Sequence, residues 1–345
     1  MGLYDTRTML GTLETLFPPY SFILDTFYTM PPKYSVTEFV DVDIYKQKRK
    51  LAPFVSPLRE GKVMKREGYT TQTFKPPYVK PKMESTASDF VGRSYGDNPY
   101  ATVSIQDRAA QAMVDDLSEM YSQLTRREEW MAVMGVLNGE VDIVGDGVDA
   151  NIDFQQSSGH QLTDGDLEGG GWDQSGADPL TDFKNWQYII ARDTGLVGNV
   201  CVFGKTAWDL FVDDTKVQAE IALFRSVGTN LNLGQAITTG PMFMGQARGV
   251  SLWLYNDWYL DETDGTTLQP YIPDTKVLFG STGARCRRNY GAIKDLDAGP
   301  GLASVRAFPK SWTEKDPSVQ YVMIQSAPLP VPHDIDAFVT ADTVN

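Results

Sequence analysis

Cysteine and histidine are scarce, with two of each among 345 residues. Cys201 and Cys286 are too few for a disulfide framework. His160 and His333 have neither a second histidine nor a cysteine nearby, which excludes the common zinc arrangements. Cys201 sits inside Val200-Cys201-Val202-Phe203, a run that reads as a buried strand with the thiol as a small core group. Long hydrophobic runs are missing too: 200–203 and 249–255 fall far short of the roughly 20 residues a membrane-crossing helix needs. Basic residues are outnumbered, leaving a formal charge of −14. Such a chain repels polyanions, which disfavours a sequence-specific DNA binder. No charged segment leads into an apolar stretch at the N-terminus, so no secretory signal is visible.

What is present is enough for a core. Hydrophobic residues make up 41% of the chain, which suits two modest domains or one with long extensions. Met1-Gly2-Leu3-Tyr4-Asp5-Thr6 fits the loose N-myristoylation pattern. The plainer reading is an amphipathic arm helix over 6–17, because Met9, Leu10, Leu13, Leu16 and Phe17 recur at helical spacing. Leu10, Leu13 and Phe17 are its expected contacts. Pro18-Pro19 and Pro31-Pro32 then favour an extended course over the first 40 residues, as an arm lying on another surface.

Residues 46–82 are different in kind. They hold eleven Lys and Arg against Glu60 and Glu67, a net +9, which leaves −23 for the rest. Strands are expected at 62–66 and 70–74, with Gly61 and Gly68 as turn residues. A two-stranded basic ribbon is marginal alone and needs a partner surface. Three uses are open: a phosphate-binding patch, a solvated ribbon, or an assembly arm across a neighbouring copy. The charge split favours the third, since a +9 ribbon and a −23 body attract head to tail. Lys62, Lys65, Arg66, Lys75, Lys80 and Lys82 are the candidate contacts.

From 104 to 139 the chain predicts one long helix. Ser104 and Asp107 give a start signal, and Ile105, Ala109, Met113, Leu117, Met120, Tyr121, Leu124, Met131 and Met134 line one face. Packing along one side only is expected, as a spine beneath a sheet. Residues 141–144 and 152–154 flank Gly145-Asp146-Gly147 as a hairpin. A Gly/Asp-rich loop follows over 157–179; within it the stretch from Asp164 to Ser175 reads as solvated surface, and the role of the whole loop is open. Helix, strand and helix are expected at 182–192, 200–203 and 206–224, and strands at 250–255, 276–279 and 321–324.

Motifs that would carry chemistry are weak. Gly204-Lys205-Thr206 lacks the first glycine of a phosphate loop, since Asn199 stands five residues before Gly204. Asp164-x-Asp166-x-Glu168-Gly169 resembles the opening of a calcium loop, but Ser175 replaces the bidentate Glu at its twelfth position. No nucleophile elbow occurs. No catalytic, cofactor or metal residue is expected.

Several stretches resemble the lambda-type (E family) major capsid protein family of tailed bacteriophages. The residues that carry the resemblance are Phe54-Val55-Ser56-Pro57, Gly61-Lys62-Val63 and Phe74-Lys75-Pro76-Pro77-Tyr78-Val79-Lys80-Pro81-Lys82. Val277-Leu278-Phe279-Gly280-Ser281-Thr282-Gly283-Ala284-Arg285, Tyr290-Gly291, Phe308-Pro309-Lys310-Ser311-Trp312 and Met323-Ile324-Gln325-Ser326-Ala327-Pro328-Leu329 follow in family order. The resemblance implies an α+β, HK-97-type phage capsid fold: N-terminal arm (1–40), extended β-hairpin loop (41–92), peripheral domain (93–179) with spine helix 104–138, axial domain (180–300), and a C-terminal return to the peripheral domain (301–345). It also implies pentamers and hexamers in an icosahedral virion shell, reached through a procapsid that expands as DNA is packaged. Implied partners are scaffold, portal, a decoration protein at three-fold positions and non-specifically touched DNA; assembly is in the host cytoplasm, away from any membrane. Rival readings are a tail-tube or decoration protein, and a nucleotide- or glycan-processing enzyme.

Overall fold

The computed structural model describes residues 5–16, 20–44, 51–63, 70–86, 104–145, 147–224, 240–260, 265–297, 302–316 and 318–344. Its longest element is the helix Ile105–Leu137, about 50 Å of rod at 1.5 Å per residue. Ser104 caps it: its hydroxyl oxygen accepts the Asp107 N–H at 3.1 Å, satisfying a donor the first turn leaves free. Gly139 follows the helix at φ 73°, in the left-handed region, and a β-carbon there would strike Gln156. Met113, Leu117, Met120 and Leu124 form one buried stripe against Met9, Leu13, Val322 and Ile324. The expected one-sided packing stops there. Met131, Ala132, Val133, Val136 and Leu137 are buried on all sides, because the helix Phe22–Phe27, the strand Glu140–Gly145 and the strand Pro328–Pro332 close around them.

The N-terminal helix runs Thr6–Thr15 and lies on the spine helix of its own chain. The stretch after it corrects the expectation of an arm over 1–40. Phe22, Ile23, Leu24, Phe27 and Tyr28 are almost wholly buried inside the central core. The helix Phe22–Phe27 has four large apolar residues among its six, too many for a surface position, and only Asp25 is exposed, where it pairs with Arg288. Its end is capped from within: Glu129 of the spine accepts the Ile23 N–H at 2.7 Å and the Leu24 N–H at 3.0 Å. The strand Met30–Tyr34 then pairs in parallel with Cys286–Tyr290.

Among the described residues a six-stranded sheet forms the second half of the molecule. Its order is Gln161–Leu162, Phe338–Asp342, Lys276–Gly280, Val200–Phe203, Val250–Asn256, Gly240–Ala247. Val200–Phe203 is central and buried on both faces, which is why its apolar run does not alternate with polar residues. Cys201 and Phe203 face a helical layer holding Phe183, Trp186, Trp208 and Phe211, while Val200 and Val202 face the core that contains Phe22 and Phe27. The single helix expected over 206–224 is two, Lys205–Asp213 and Thr215–Phe224. Asp214 breaks it, accepting the Lys216 and Val217 N–H groups as the cap of the second helix.

Three further regions add partners that the local sequence does not mark, and one corrects an expectation. The strand Thr70–Phe74 exists, but its partner is Val40–Ile44, not 62–66. Val40 and Val42 alternate with Asp41 and bury inward, whereas residues 62–63 are irregular and exposed; 64–66 lie outside the described residues. The loop 157–179 is anchored at a few points while Gly165, Asp166, Glu168, Gly169 and residues 173–176 stay exposed, as a surface loop should. Leu167 and Trp172 enter the helical core, and Trp172 Nε1 donates to Asp182 Oδ2 at 2.8 Å. Finally, residues 301–345 divide. Phe308–Lys315 and Ser318–Gln325 form a sheet with Lys82–Thr86, Pro328–Pro332 pairs with Cys286–Tyr290, and Phe338–Asp342 enters the six-stranded sheet. The segment thus contributes strands to three sheets, with partners set by distant residues.

Candidate assembly surfaces

Residues 51–63 leave the body of the chain uncovered. Pro53 and Pro57 remove backbone donors, so no ladder forms, and the one turn is closed by the Arg59 N–H donating to Ser56 O at 2.9 Å. Leu51, Phe54, Leu58 and Val63 are each more than nine-tenths exposed. Lys62 is exposed beside them, and Lys65 and Arg66 lie outside the described residues. The other three candidate lysines have partners at home. Lys75 Nζ lies 3.7 Å from Glu38, which Lys294 also pairs. Lys80 Nζ stands 4.9 Å above the Tyr78 ring, and Lys82 Nζ 4.4 Å above Tyr321. The four described candidates therefore separate: Lys62 faces solvent in the loop, Lys75 ties the returning limb to Glu38, Lys80 packs on Tyr78 of the same limb, and Lys82 packs on Tyr321 of the sheet.

The arm contacts separate as well. Leu13 is buried against the spine helix, so it serves the subunit itself; Leu10 is half-buried, and Phe17 lies outside the described residues.

An acidic surface stands elsewhere. Glu140–Gly145 and Val148–Asp153 form the expected hairpin. Val141, Ile152 and Phe154 face the core, which turns Glu140, Asp142, Asp149 and Asp153 outward, with Glu140 directly opposite Asp153. Asn151 donates to both Glu140 and Asp142. Like charges opposed across a ladder cost stability, and among the described residues no Lys or Arg forms an ion pair with these four. The alternation that makes this face was visible in the sequence; its lack of a cation was not.

Buried ionisable groups act as ties. Arg306 donates to Glu128, Tyr121 and Thr125, joining the spine to the chain before Phe308–Lys315. Glu129 also accepts from Tyr255 of the six-stranded sheet at 3.2 Å. Burial pushes its carboxyl up to about 7, against the lowering pull of the Ile23, Leu24 and Tyr255 hydrogen bonds. Burial likewise raises the Cys201 and Cys286 thiols, opposing thiolate formation. Gly204 has a packing reason, because a β-carbon there would meet Pro273 O and Asp274 O. Asp166 of the calcium-like loop accepts from the Thr163 N–H and hydroxyl. Among the described residues no group of three or more His, Cys, Asp or Glu could hold a metal.

The phage major capsid protein E family matches residues 5–343. The chain belongs to that family. The capsid family's relatives include the major capsid protein of Enterobacteria phage P21, 30% identical with 98% of each chain covered, and that of Escherichia phage lambda, 28% identical with 99% of each covered. The crystal structure of a protein assigned as the capsid protein of an Escherichia coli CFT073 prophage matches at TM-score 0.72 and 22% identity, over 99% of each chain. The fold is therefore the α+β, HK-97-type capsid fold, as the resemblance implies.

Proposed function

We propose that this chain is the head protein of a tailed phage, self-assembling into the icosahedral shell that encloses the genome. Membership of the capsid family over nearly the whole chain supports this reading, and the uncovered limb at 51–63 carries it most directly. A subunit that leaves four large apolar side chains in water has surface to bury against another copy. Pentamers and hexamers would form as the loop reaches over a neighbour, with Lys62, Lys65 and Arg66 meeting acidic surface such as the 140–153 hairpin. Many modest contacts repeated around a ring give high avidity.

The rest of the plan follows. A procapsid builds on scaffold around a portal and expands as DNA enters, in the host cytoplasm; a decoration protein clamps three-fold positions of the finished virion. The chain's acidic excess lets DNA spool inside with weak, non-specific contact. The subunit works as a building block with no catalytic step of its own. No described helix is long and apolar enough to cross a membrane.

Electron microscopy of the purified protein tests this reading. Closed shells or hexameric rings are expected; tubes or dispersed monomers would overturn it. Combined charge reversal at Lys62, Lys65 and Arg66 tests the electrostatic clasp. Unchanged assembly yield and salt dependence would remove it.

A further inference from the structure

Residues 51–63 are not alone in holding apolar side chains in water. The strands Trp258–Leu260 and Leu268–Pro270 form a hairpin whose register opposes Trp258 to Pro270, Tyr259 to Gln269 and Leu260 to Leu268. Side chains alternate across a strand, so Trp258, Leu260, Leu268 and Pro270 share one face. Tyr259 points the other way, with its ring centroid 6.4 Å from Trp130 and 5.2 Å from Tyr271. The inner face thus belongs to the core. The outer face is left open, with Trp258, Leu260 and Leu268 at 39, 52 and 65% exposure. A two-stranded hairpin is marginally stable by itself, and an apolar outer face adds to what needs covering.

We infer that the outer face of this hairpin is the seat of residues 51–58 of a second copy of the chain. The inference rests on the shell reading and names the surface that the extended loop meets. The two surfaces match in polarity: Phe54 and Leu58 are apolar side chains with no cover, and Trp258, Leu260 and Leu268 form an apolar face left open. They also match in charge. The occupant is flanked in sequence by Lys46, Lys48, Arg49 and Lys50 on one side and by Arg59 on the other. The hairpin is preceded by Asp257, and the sequence joining its strands holds Asp261, Glu262 and Asp264. Within one subunit the segment and the hairpin face are both exposed, and among the described residues nothing covers the hairpin's outer face. A neighbour's loop supplies what is missing, apolar side chains meeting an apolar face in segments whose flanking sequences carry opposite charge.

The test is a disulfide cross-link between two differently tagged chains. One carries Phe54→Cys and the other Leu260→Cys, with Leu58→Cys and Leu268→Cys as the second pair. The native Cys201 and Cys286 are fully buried, which keeps them out of the reaction. After co-assembly and mild oxidation, a heterodimer band is expected in shells for at least one pair and in neither for unassembled subunits, since the bond forms only with Cα atoms within about 7 Å. Phe54→Cys paired with Tyr188→Cys, at an exposed helical position, is the control and should give no band. Normal shells without either heterodimer would overturn the inference and leave the shell reading intact, pointing to a decoration or scaffold protein as the occupant. A control band as strong as the test band would also overturn it. Failure of the unsubstituted protein to form shells would remove the shell reading itself. Joint Leu260→Ser and Leu268→Ser substitution should lower shell yield several-fold while the subunit stays folded by circular dichroism; unchanged yield counts against the seat.

Discussion

Residues 20–28 and 51–63 begin from similar material and end in opposite places. Each follows or contains prolines and carries several large apolar side chains. The first is enclosed: Phe22, Ile23, Leu24 and Phe27 sit in the central core under the cap supplied by Glu129. The second lies open, with Phe54 and Leu58 in water. Punctuation makes the difference. Phe22–Phe27 has Asp25 as its one charge, so it closes into a turn and a half of helix that buries Phe22, Ile23, Leu24 and Phe27 and leaves Asp25 at the surface. Residues 51–63 are interrupted by Pro53, Pro57, Arg59, Glu60, Gly61 and Lys62, so neither a helical stripe nor a strand face can form. One segment stabilises the subunit; the other is held in reserve for contact between subunits.

The sharpest way to break this contrast is a pair of truncations. Phe27→Ala should cost about 3–5 kcal/mol of subunit stability, as expected for a buried ring, read from the denaturant midpoint. Phe54→Ala should stay within about 0.5 kcal/mol in the same measurement, while lowering shell yield. Equal effects of the two on the subunit would erase the distinction.

Glu129 sharpens the enclosed side. Below pH 4.5 its carboxyl is protonated in both folded and unfolded chains. Between 4.5 and about 7 the folded carboxyl keeps its proton while the unfolded one ionises, so this group's contribution falls as pH rises and is level above 7. Glu129→Gln removes that slope. Relative to the variant, the parent chain should lose on the order of 3 kcal/mol between pH 4.5 and 8; parallel melting-temperature profiles would refute the assignment.

Smaller effects mark the borders of the open region. Lys82→Ala, where the loop rejoins the sheet over the Tyr321 ring, should cost about 0.5–1 kcal/mol. Asp142→Lys should gain about 0.2–1 kcal/mol by relieving the acidic hairpin face, and should weaken assembly if that face receives a neighbour's basic loop. A titration of subunit melting against shell yield separates the two.

Local signals were legible in the sequence and distant partners were not. Ser104, Asp107 and the stripe from Met113 to Leu124 announce the spine helix, and Gly145-Asp146-Gly147 announces the hairpin. Asp214 carried its capping chemistry openly, yet the flanking apolar pattern masks the break. Gly- and Asp-rich composition hides Trp172, whose burial depends on Phe183, Phe203 and Phe211 meeting around it. Val40–Ile44 as partner of Thr70–Phe74 has no local mark. The same holds for the loop lysines: positive charge shows in the sequence, but Glu38 and Tyr321, which engage Lys75 and Lys82, come from elsewhere in the chain.

Phe338–Asp342 lies inside the six-stranded sheet, between Lys276–Gly280 and the short edge Gln161–Leu162. During synthesis, the strand Lys276–Gly280 therefore waits with one side unpaired until residues about sixty positions later leave the ribosome. A nascent chain of that kind presents a free β-edge, the feature that invites wrong pairing between neighbouring chains. Completing the sheet late also delays the finished subunit. An incomplete chain that stops short of Phe338 lacks this strand and leaves Lys276–Gly280 with one open side.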